Sequence, residues 1–309
     1  MTTMTGFAQN KDLDWSRDGR DWPNSDASRF VRTRRILWHL QEMGDARAPA
    51  LLLVHGTAAS THSFRDLMPR LSARFRVIAI DLPGHGFTDA RDTQSLTPTG
   101  MAMAVSDLLR HLDILPVAAA GHSAGAAVLI QMAQLGGVAP TQIFGLNAAL
   151  EPIQGNALFQ PLARFLFLNP LTPRLLAWRA TFGGTDAMLQ RATGSTIGAD
   201  GARCYTRLFA SRRHVRAALG MMAHWDLAPL QAGLPSLAPE LILIAADDDP
   251  MVPASVSTRA ALRAPQASCI RFATGGHLLH EAEPDTIAAL IEARCLGETA
   301  MDAQDRRRA

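Results

Sequence analysis

Lysine is nearly missing from this chain: Lys11 is the only one, and the rest of the 30 basic residues are arginines. Composition of that kind is what a GC-rich coding sequence gives. It also excludes lysine-based covalent chemistry outside the polar N-terminal stretch. Cysteine is scarce as well. Cys204, Cys269 and Cys295 lie far apart with no CxxC spacing, which argues against a disulfide framework and a structural zinc site. An excess of one charge is lacking too: 30 Lys+Arg against 28 Asp+Glu leaves a net +2. That balance gives no electrostatic case for nucleic acid. No apolar run reaches the ~18 residues of a spanning helix. The opening MTTMTGFAQNKDLDW has no basic segment followed by an apolar one, so no signal peptide is expected and the cytoplasm is the default compartment.

What is present is enough for a large core: 309 residues, 48% hydrophobic and 19% charged. Residues 1–34 form a polar N-terminal arm with Trp15, Trp22 and Phe30 as isolated anchors. Strand-like apolar runs follow from about Ile36, then at 50–56, 75–86, 115–125, 141–150, 240–253 and 268–277. Helix-like segments such as 97–114 separate them, the signature of a parallel α/β sheet. Residues 151–230 have helical periodicity, Pro and Gly punctuation and no comparable strand signal. A stretch of that length exceeds a simple loop. It reads as a helical cap on a core made of 1–150 and 231–309.

The strongest local signal is GHSAG at 121–125. Flanking glycines let a strand turn sharply into a helix, leaving the Ser123 hydroxyl exposed at the turn. The apolar run 115–120 before it and the helical pattern 124–135 after it supply the strand–turn–helix setting a nucleophile needs. A serine hydroxyl also needs a base, and the base an orienting acid. His277 in TGGH, after the last strand run, is the base candidate, with His280 as competitor. The acid comes from the triplet Asp247, Asp248 and Asp249. Asp249, immediately before PMVP, is preferred, and Asp248 stays open. For the oxyanion, Ala124 supplies one N–H, and Thr57 after the run 51–56, or Ala58 in reserve, supplies the second. His55 is expected to support that loop. Asp81 and His85 in DLPGHG are expected to staple a turn rather than hold a metal. Gly84 and Gly86 lack the continuation of a phosphate cradle. No nucleotide, cofactor or metal is therefore expected.

Taken together, HGT at 55–57, DLPGHG at 81–86, GHSAG at 121–125, DxxVP from Asp249 and GGH at 275–277 resemble the α/β-hydrolase superfamily. The resemblance implies an α/β-hydrolase fold: an eight-stranded, mostly parallel sheet flanked by helices, with a helical cap insertion. Ala246 departs from it, standing where many relatives have glycine. Three further stretches, 22–31, 192–208 and 221–230, resemble the magnesium chelatase accessory hydrolases (the BchO type) of bacteriochlorophyll-synthesising bacteria. That resemblance implies a role in the magnesium-insertion stage of tetrapyrrole biosynthesis, with magnesium chelatase subunits as partners.

Two functions compete. One is a serine hydrolase acting on an ester-like bond of an apolar small molecule such as a tetrapyrrole intermediate, with the apolar segment 158–178 roofing the pocket. The other is a tetrapyrrole-binding or chelatase-assisting protein with an idle triad, where His122 or His224 could approach a porphyrin. Peripheral membrane contact through 158–178 and Arg164, Arg174 and Arg179 is a third reading. Pro161, Pro170 and Pro173 argue against it by breaking the helix such contact needs.

Overall fold

The computed structural model describes residues 12–90, 92–152, 165–169, 171–180 and 184–297. Eight strands form one sheet: β1 (Ser28–Arg32), β2 (Leu37–Met43), β3 (Ala50–Val54), β4 (Arg76–Ile80), β5 (Ala118–His122), β6 (Gln142–Leu146), β7 (Glu240–Ala246) and β8 (Ala267–Phe272). Their order is β1-β2-β4-β3-β5-β6-β7-β8. β2 runs antiparallel to β1 and β4, and every other pairing is parallel.

The parallel strands read as continuous apolar runs because helices cover both faces. Along β3 and β4 every residue after the first is buried, and β5 is buried throughout. The side chains sort by period 2 onto two faces. Leu52, Val54, Ile78 and Ile80 face one core with Met101, Val105 and Leu129. Leu51, Leu53, Val77 and Ala79 face the other with Phe64, Leu67 and Ile287. The helix Pro98–His111 starts where Thr97 accepts the Gly100 N–H at 3.0 Å and Pro98 takes the first-turn position that needs no donor.

β1 lies inside the stretch whose composition reads as a polar arm. As an edge strand with sequence SRFVR, it buries too little for the apolar signal of a central strand. The arm's aromatics are not isolated either. Trp22 is buried, and the rings of Trp15 and Trp22 each sit 4.9 Å from Phe87. They join a cluster with Leu189, Ile197, Tyr205 and Leu208, which ties the N-terminal residues to the segment between β6 and β7.

That segment holds no strand among its described residues. Its helices include Thr172–Ala180, Thr185–Thr193, Ala199–Ala210, Arg212–Ala223 and Ala228–Gly233. Arg212–Ala223 sends Val215, Ala217, Leu219 and Met221 into the main core. The chain leaves β3 for β4 on one side and β5 lies on the other. Crevices at such reversals, beyond the carboxyl ends of the strands, are where open α/β sheets hold ligands.

Candidate active site

At the end of β5 the chain turns at Ser123, whose φ of 51° and ψ of −115° lie outside ordinary side-chain territory, and enters the helix Ala124–Gln134. Glycines make the turn possible by removing steric bulk. A Cβ on Gly121 would stand 2.4 Å from the Ala126 nitrogen, and one on Gly125 would stand 2.2 Å from the Val54 carbonyl oxygen. Gly56 allows the third close approach, its missing Cβ lying 3.0 Å from Ser123 Cβ. The Ser123 N–H donates to the Leu146 carbonyl at 2.8 Å, which pins the turn to β6.

His277 comes over this turn from the loop after β8. Its Nε2 lies 3.1 Å from Ser123 Oγ, and its Nδ1–H donates to Asp249 Oδ2 at 2.8 Å. Asp249 also accepts from Asn147 Nδ2 at 2.9 Å and from the N–H groups of Met251 and Val252 at 2.8 and 3.0 Å. Burial alone would raise its pKa. The hydrogen bond and charge of His277, with the two backbone donors, outweigh burial and hold it below the ordinary carboxylate value.

The three adjacent aspartates have three different jobs. Asp247 pairs with Arg271 at 2.7 Å on the surface. Asp248 accepts the N–H groups of Gly275 and Gly276 at 3.2 and 2.8 Å, so it staples the loop before His277 rather than touching the imidazole. Asp249 alone among them reaches His277. His280 points elsewhere, its Nε2 lying 2.8 Å from Ser63 Oγ.

The β3 loop lies on the other side of Ser123. Ala58 has a positive φ of 61°. The Thr57 hydroxyl donates to Met221 Sδ at 3.4 Å, linking this loop to the helix Arg212–Ala223. Ala124 is the first residue of the helix after Ser123, where the helix dipole favours negative charge. His55 is a loop support: Nδ1–H donates to the Gly56 carbonyl at 2.7 Å and Nε2 accepts from Leu82 N–H at 2.9 Å.

Asp81 is buried with its carboxylate shared among His39 Nδ1, Thr61 N–H and Phe87 N–H at 2.7–2.9 Å. Burial would raise its pKa, but the His39 partner drives it far below the ordinary range. Gly86 packs on this carboxylate and Gly84 on Ala217, so both glycines serve close packing. Among the described residues no group of three or more His, Cys, Asp or Glu is arranged to hold a metal ion. A cleft of about 780 Å³ opens beside Glu281. Its charges are internally paired, Arg65 with Glu281 and Arg207 with Asp21, so it does not suit an apolar ligand.

Of the two histidines considered for a porphyrin, His122 is buried and its Nε2–H donates to the His277 carbonyl at 2.8 Å, so it is not placed to approach one. His224 is half-buried, and its Nδ1–H donates to the Gly220 carbonyl at 2.8 Å. Within the apolar segment 158–178, Leu158, Pro161, Leu162, Arg164 and Pro170 lie outside the described residues. Phe167 packs into the core against Gly220, whereas Leu168, Leu171 and Leu175 face outward. Pro173 sits in the first turn of Thr172–Ala180, a position that tolerates proline, so it does not break that helix.

Residues that sequence reasoning passed over are Asn147, Thr193, Ser195 and Met221. Asn147, with a φ of 45°, stands just past β6 and touches both Asp249 and the His277 loop. A lone asparagine after a strand carries no signal of that role. Its position beside the other strand ends is the one clue available.

Residues 51–290 match the alpha/beta hydrolase family, and the chain belongs to it. Within that family it is similar to the magnesium-chelatase 30 kDa subunit of Rhodobacter capsulatus, with 42% identity over 279 residues, covering 88% of this chain and 95% of the relative. It is more distantly similar to the pimeloyl-[acyl-carrier protein] methyl ester esterase of Xanthomonas oryzae pv. oryzae. There the identity is 28% over 270 residues, covering 82% of this chain and 97% of the esterase. Among solved structures, an alpha/beta hydrolase fold protein from Burkholderia ambifaria superposes with a TM-score of 0.73 at 22% identity, covering 86% of this chain and 97% of that one.

Proposed function

We propose that the chain is a serine hydrolase acting on an ester-like bond of a large apolar molecule in the magnesium-insertion stage of tetrapyrrole biosynthesis. The observation that carries this reading is the continuous hydrogen-bonded line from Ser123 Oγ through the His277 ring to Asp249, at 3.1 and 2.8 Å. Ser123 Oγ attacks the acyl carbon while His277 Nε2 takes its proton, and Asp249 stabilises the resulting imidazolium. The N–H groups of Ala124 and Thr57 receive the oxyanion. The imidazolium then protonates the leaving alcohol. Water, deprotonated by the same nitrogen, attacks the acyl-enzyme and releases the acid with Ser123 restored.

Residues 151–230 would act as the cap of this enzyme and the remainder as its core. The similarity to a magnesium-chelatase subunit supports association with chelatase components. It also supports the second reading, a chelatase-assisting protein whose triad is idle. We place the protein in the cytoplasm. No helix among the described residues is long and apolar enough to cross a membrane. The outward-facing Leu168, Leu171 and Leu175 support contact with a membrane surface no deeper than peripheral.

Replacing Ser123 with Ala tests the two readings together. Hydrolase action in the pathway predicts that ester turnover falls by at least about 10³-fold and that magnesium-porphyrin formation in cells falls with it. Lost turnover with normal pigment would support the idle-triad reading. Undiminished ester turnover would remove Ser123 as the nucleophile.

A further inference from the structure

The loop that carries His277 has no regular structure of its own, yet each backbone polar group from Gly275 to Leu278 has a partner. The N–H groups of Gly275 and Gly276 go to Asp248. The His277 N–H donates to the Thr193 carbonyl at 2.7 Å, and the Leu278 N–H to Ser195 Oγ at 2.8 Å. The Gly275 carbonyl accepts from the Ser195 hydroxyl at 2.7 Å, and the Gly276 carbonyl from Asn147 Nδ2 at 3.2 Å. The His277 carbonyl takes the His122 ring N–H, and the Leu278 carbonyl takes Glu281 N–H. Three of these bonds come from Thr193 and Ser195, in the segment between β6 and β7.

Ser195 uses its hydroxyl fully, once as donor before His277 and once as acceptor after it. It is buried, and its own N–H donates to Thr193 Oγ1 at 3.2 Å, which in turn donates to the Leu189 carbonyl one turn back in the helix Thr185–Thr193. The contact is tight on the Gly276 side. A Cβ on Gly276 would stand 2.5 Å from both Ser195 Oγ and the Thr193 carbonyl oxygen, and Gly194, with φ of 69°, packs against Pro250 of the acid loop. The helical segment is therefore fastened to the loops of both the base and the acid.

We propose that Ser195 is a positioning residue, holding the backbone on either side of His277 so that the imidazole stays in line between Ser123 and Asp249. The segment between β6 and β7 then sets the reactivity of Ser123 as well as covering it. This inference rests on the reading of His277 as the general base. Without the Ser195 hydroxyl, the Gly275 carbonyl and Leu278 N–H lose their partners, and the loop can relax away from Ser123.

The test uses the full chain with Ser195→Ala, Ser195→Thr and a control, Thr206→Val, which removes a cap hydroxyl bonded only within its own helix to Ala202. The probes are 4-nitrophenyl butyrate turnover and fluorophosphonate labelling of Ser123 followed by intact mass. Ser195→Ala is expected to lower kcat and the labelling rate on the order of tenfold with KM within about twofold, as misplacement of a catalytic group does. Ser195→Thr restores most of the loss, and Thr206→Val matches the wild type. A folded Ser195→Ala with wild-type kcat and labelling rate, even with a lower Tm, overturns the proposal. If Ser195→Ala does not fold, Ser195→Cys keeps the shape with weaker hydrogen bonding and is expected to fall between Ala and wild type. Wild-type rates in it overturn the proposal equally. Wild-type turnover in Ser123→Ala would instead sink the hydrolase reading. In that event the downfield NMR signal of the His277 Nδ1 proton decides: the inference requires Ser195→Ala to move or broaden it, and an unchanged signal overturns it.

Discussion

The two sides of the Ser123–His277 pair are held by different physics. Ser123 is fixed by steric exclusion: Gly56, Gly121 and Gly125 let three stretches of backbone approach closer than any side chain would allow. His277 is fixed by tethers, its loop tied by hydrogen bonds to Asp248, Asn147, His122, Thr193 and Ser195. Close-packed backbone resists movement on every side and tolerates no added atom. A tethered loop tolerates small changes of volume but depends on each partner's protonation and geometry. The Ser123 side should therefore fail abruptly, in folding, and the His277 side gradually, in rate.

Acid strikes the seam between them and has the largest expected effect. His122, whose ring N–H reaches the His277 carbonyl, and His85, under the β3 loop, are both fully buried. Burial, reinforced by neighbouring histidines, pushes each from the ordinary 6.5 to about 3. Both are neutral in the folded protein, while the unfolded chain takes up protons below 6.5. Their contribution is thus complete above pH 6.5 and is lost as pH falls from there towards about 3. At pH 5 the loss for the pair is about 4 kcal/mol, from about 1.36 kcal/mol per unit each. Urea titrations at pH 8, 7, 6 and 5 should give equal stability at the first two and a steep fall after. A flat profile down to pH 5 would show that these rings are solvated or charged in the fold. His122→Asn and His85→Asn would each remove part of the slope.

The steric side is broken by a single methyl group. Gly125→Ala places a Cβ 2.2 Å from the Val54 carbonyl oxygen and 2.6 Å from that of His55, both backbone atoms of the central strand and its loop. Neither can step aside without moving β3, so the cost should be about 3 kcal/mol, at the upper end of overpacking. Loss of cooperative near-ultraviolet circular dichroism at lower urea would confirm it. A variant as stable as wild type would mean the elbow has slack and is not sterically set.

This division also explains what could be read from the chain beforehand. GHSAG announces itself because its glycines answer a local backbone need, and β3 to β7 do so because strands covered on both faces must be apolar along their length. The tethers leave no such mark. Ser195 and Asn147 meet the His277 loop across 80 and 129 residues of sequence, and a serine or asparagine in a loop looks like any other. The choice between Asp248 and Asp249 stayed open for the same reason, since which neighbour faces the imidazole is settled by the turn that sends Met251 and Val252 N–H back to Asp249. β1 escaped because an edge strand with two arginines in five residues has little apolar content to display.

The mildest test concerns the tether that joins Asp249 to the His277 loop. Asn147 Nδ2 donates to Asp249 Oδ2 at 2.9 Å and to the Gly276 carbonyl at 3.2 Å, so one amide sets the distance between the two loops. Asn147→Ala leaves Asp249 with His277 on Oδ2 and two backbone donors on Oδ1, enough to stay ionised, but unties it from the Gly276 carbonyl. The expected loss is about tenfold in kcat, or about 1.4 kcal/mol of barrier, with KM nearly unchanged. Asparagine also tolerates the positive φ here better than alanine does. A modest drop in Tm should accompany the substitution, and Asn147→Gly separates the two effects. Glycine also lacks the amide but accepts the positive φ, so it should cost the same rate with less loss of Tm than alanine. Combined with Ser195→Ala, the losses should add to less than their sum, because both act on the same four-residue loop. Full additivity would mean that Asn147 works through Asp249 alone and that the loop is held by Ser195 without it.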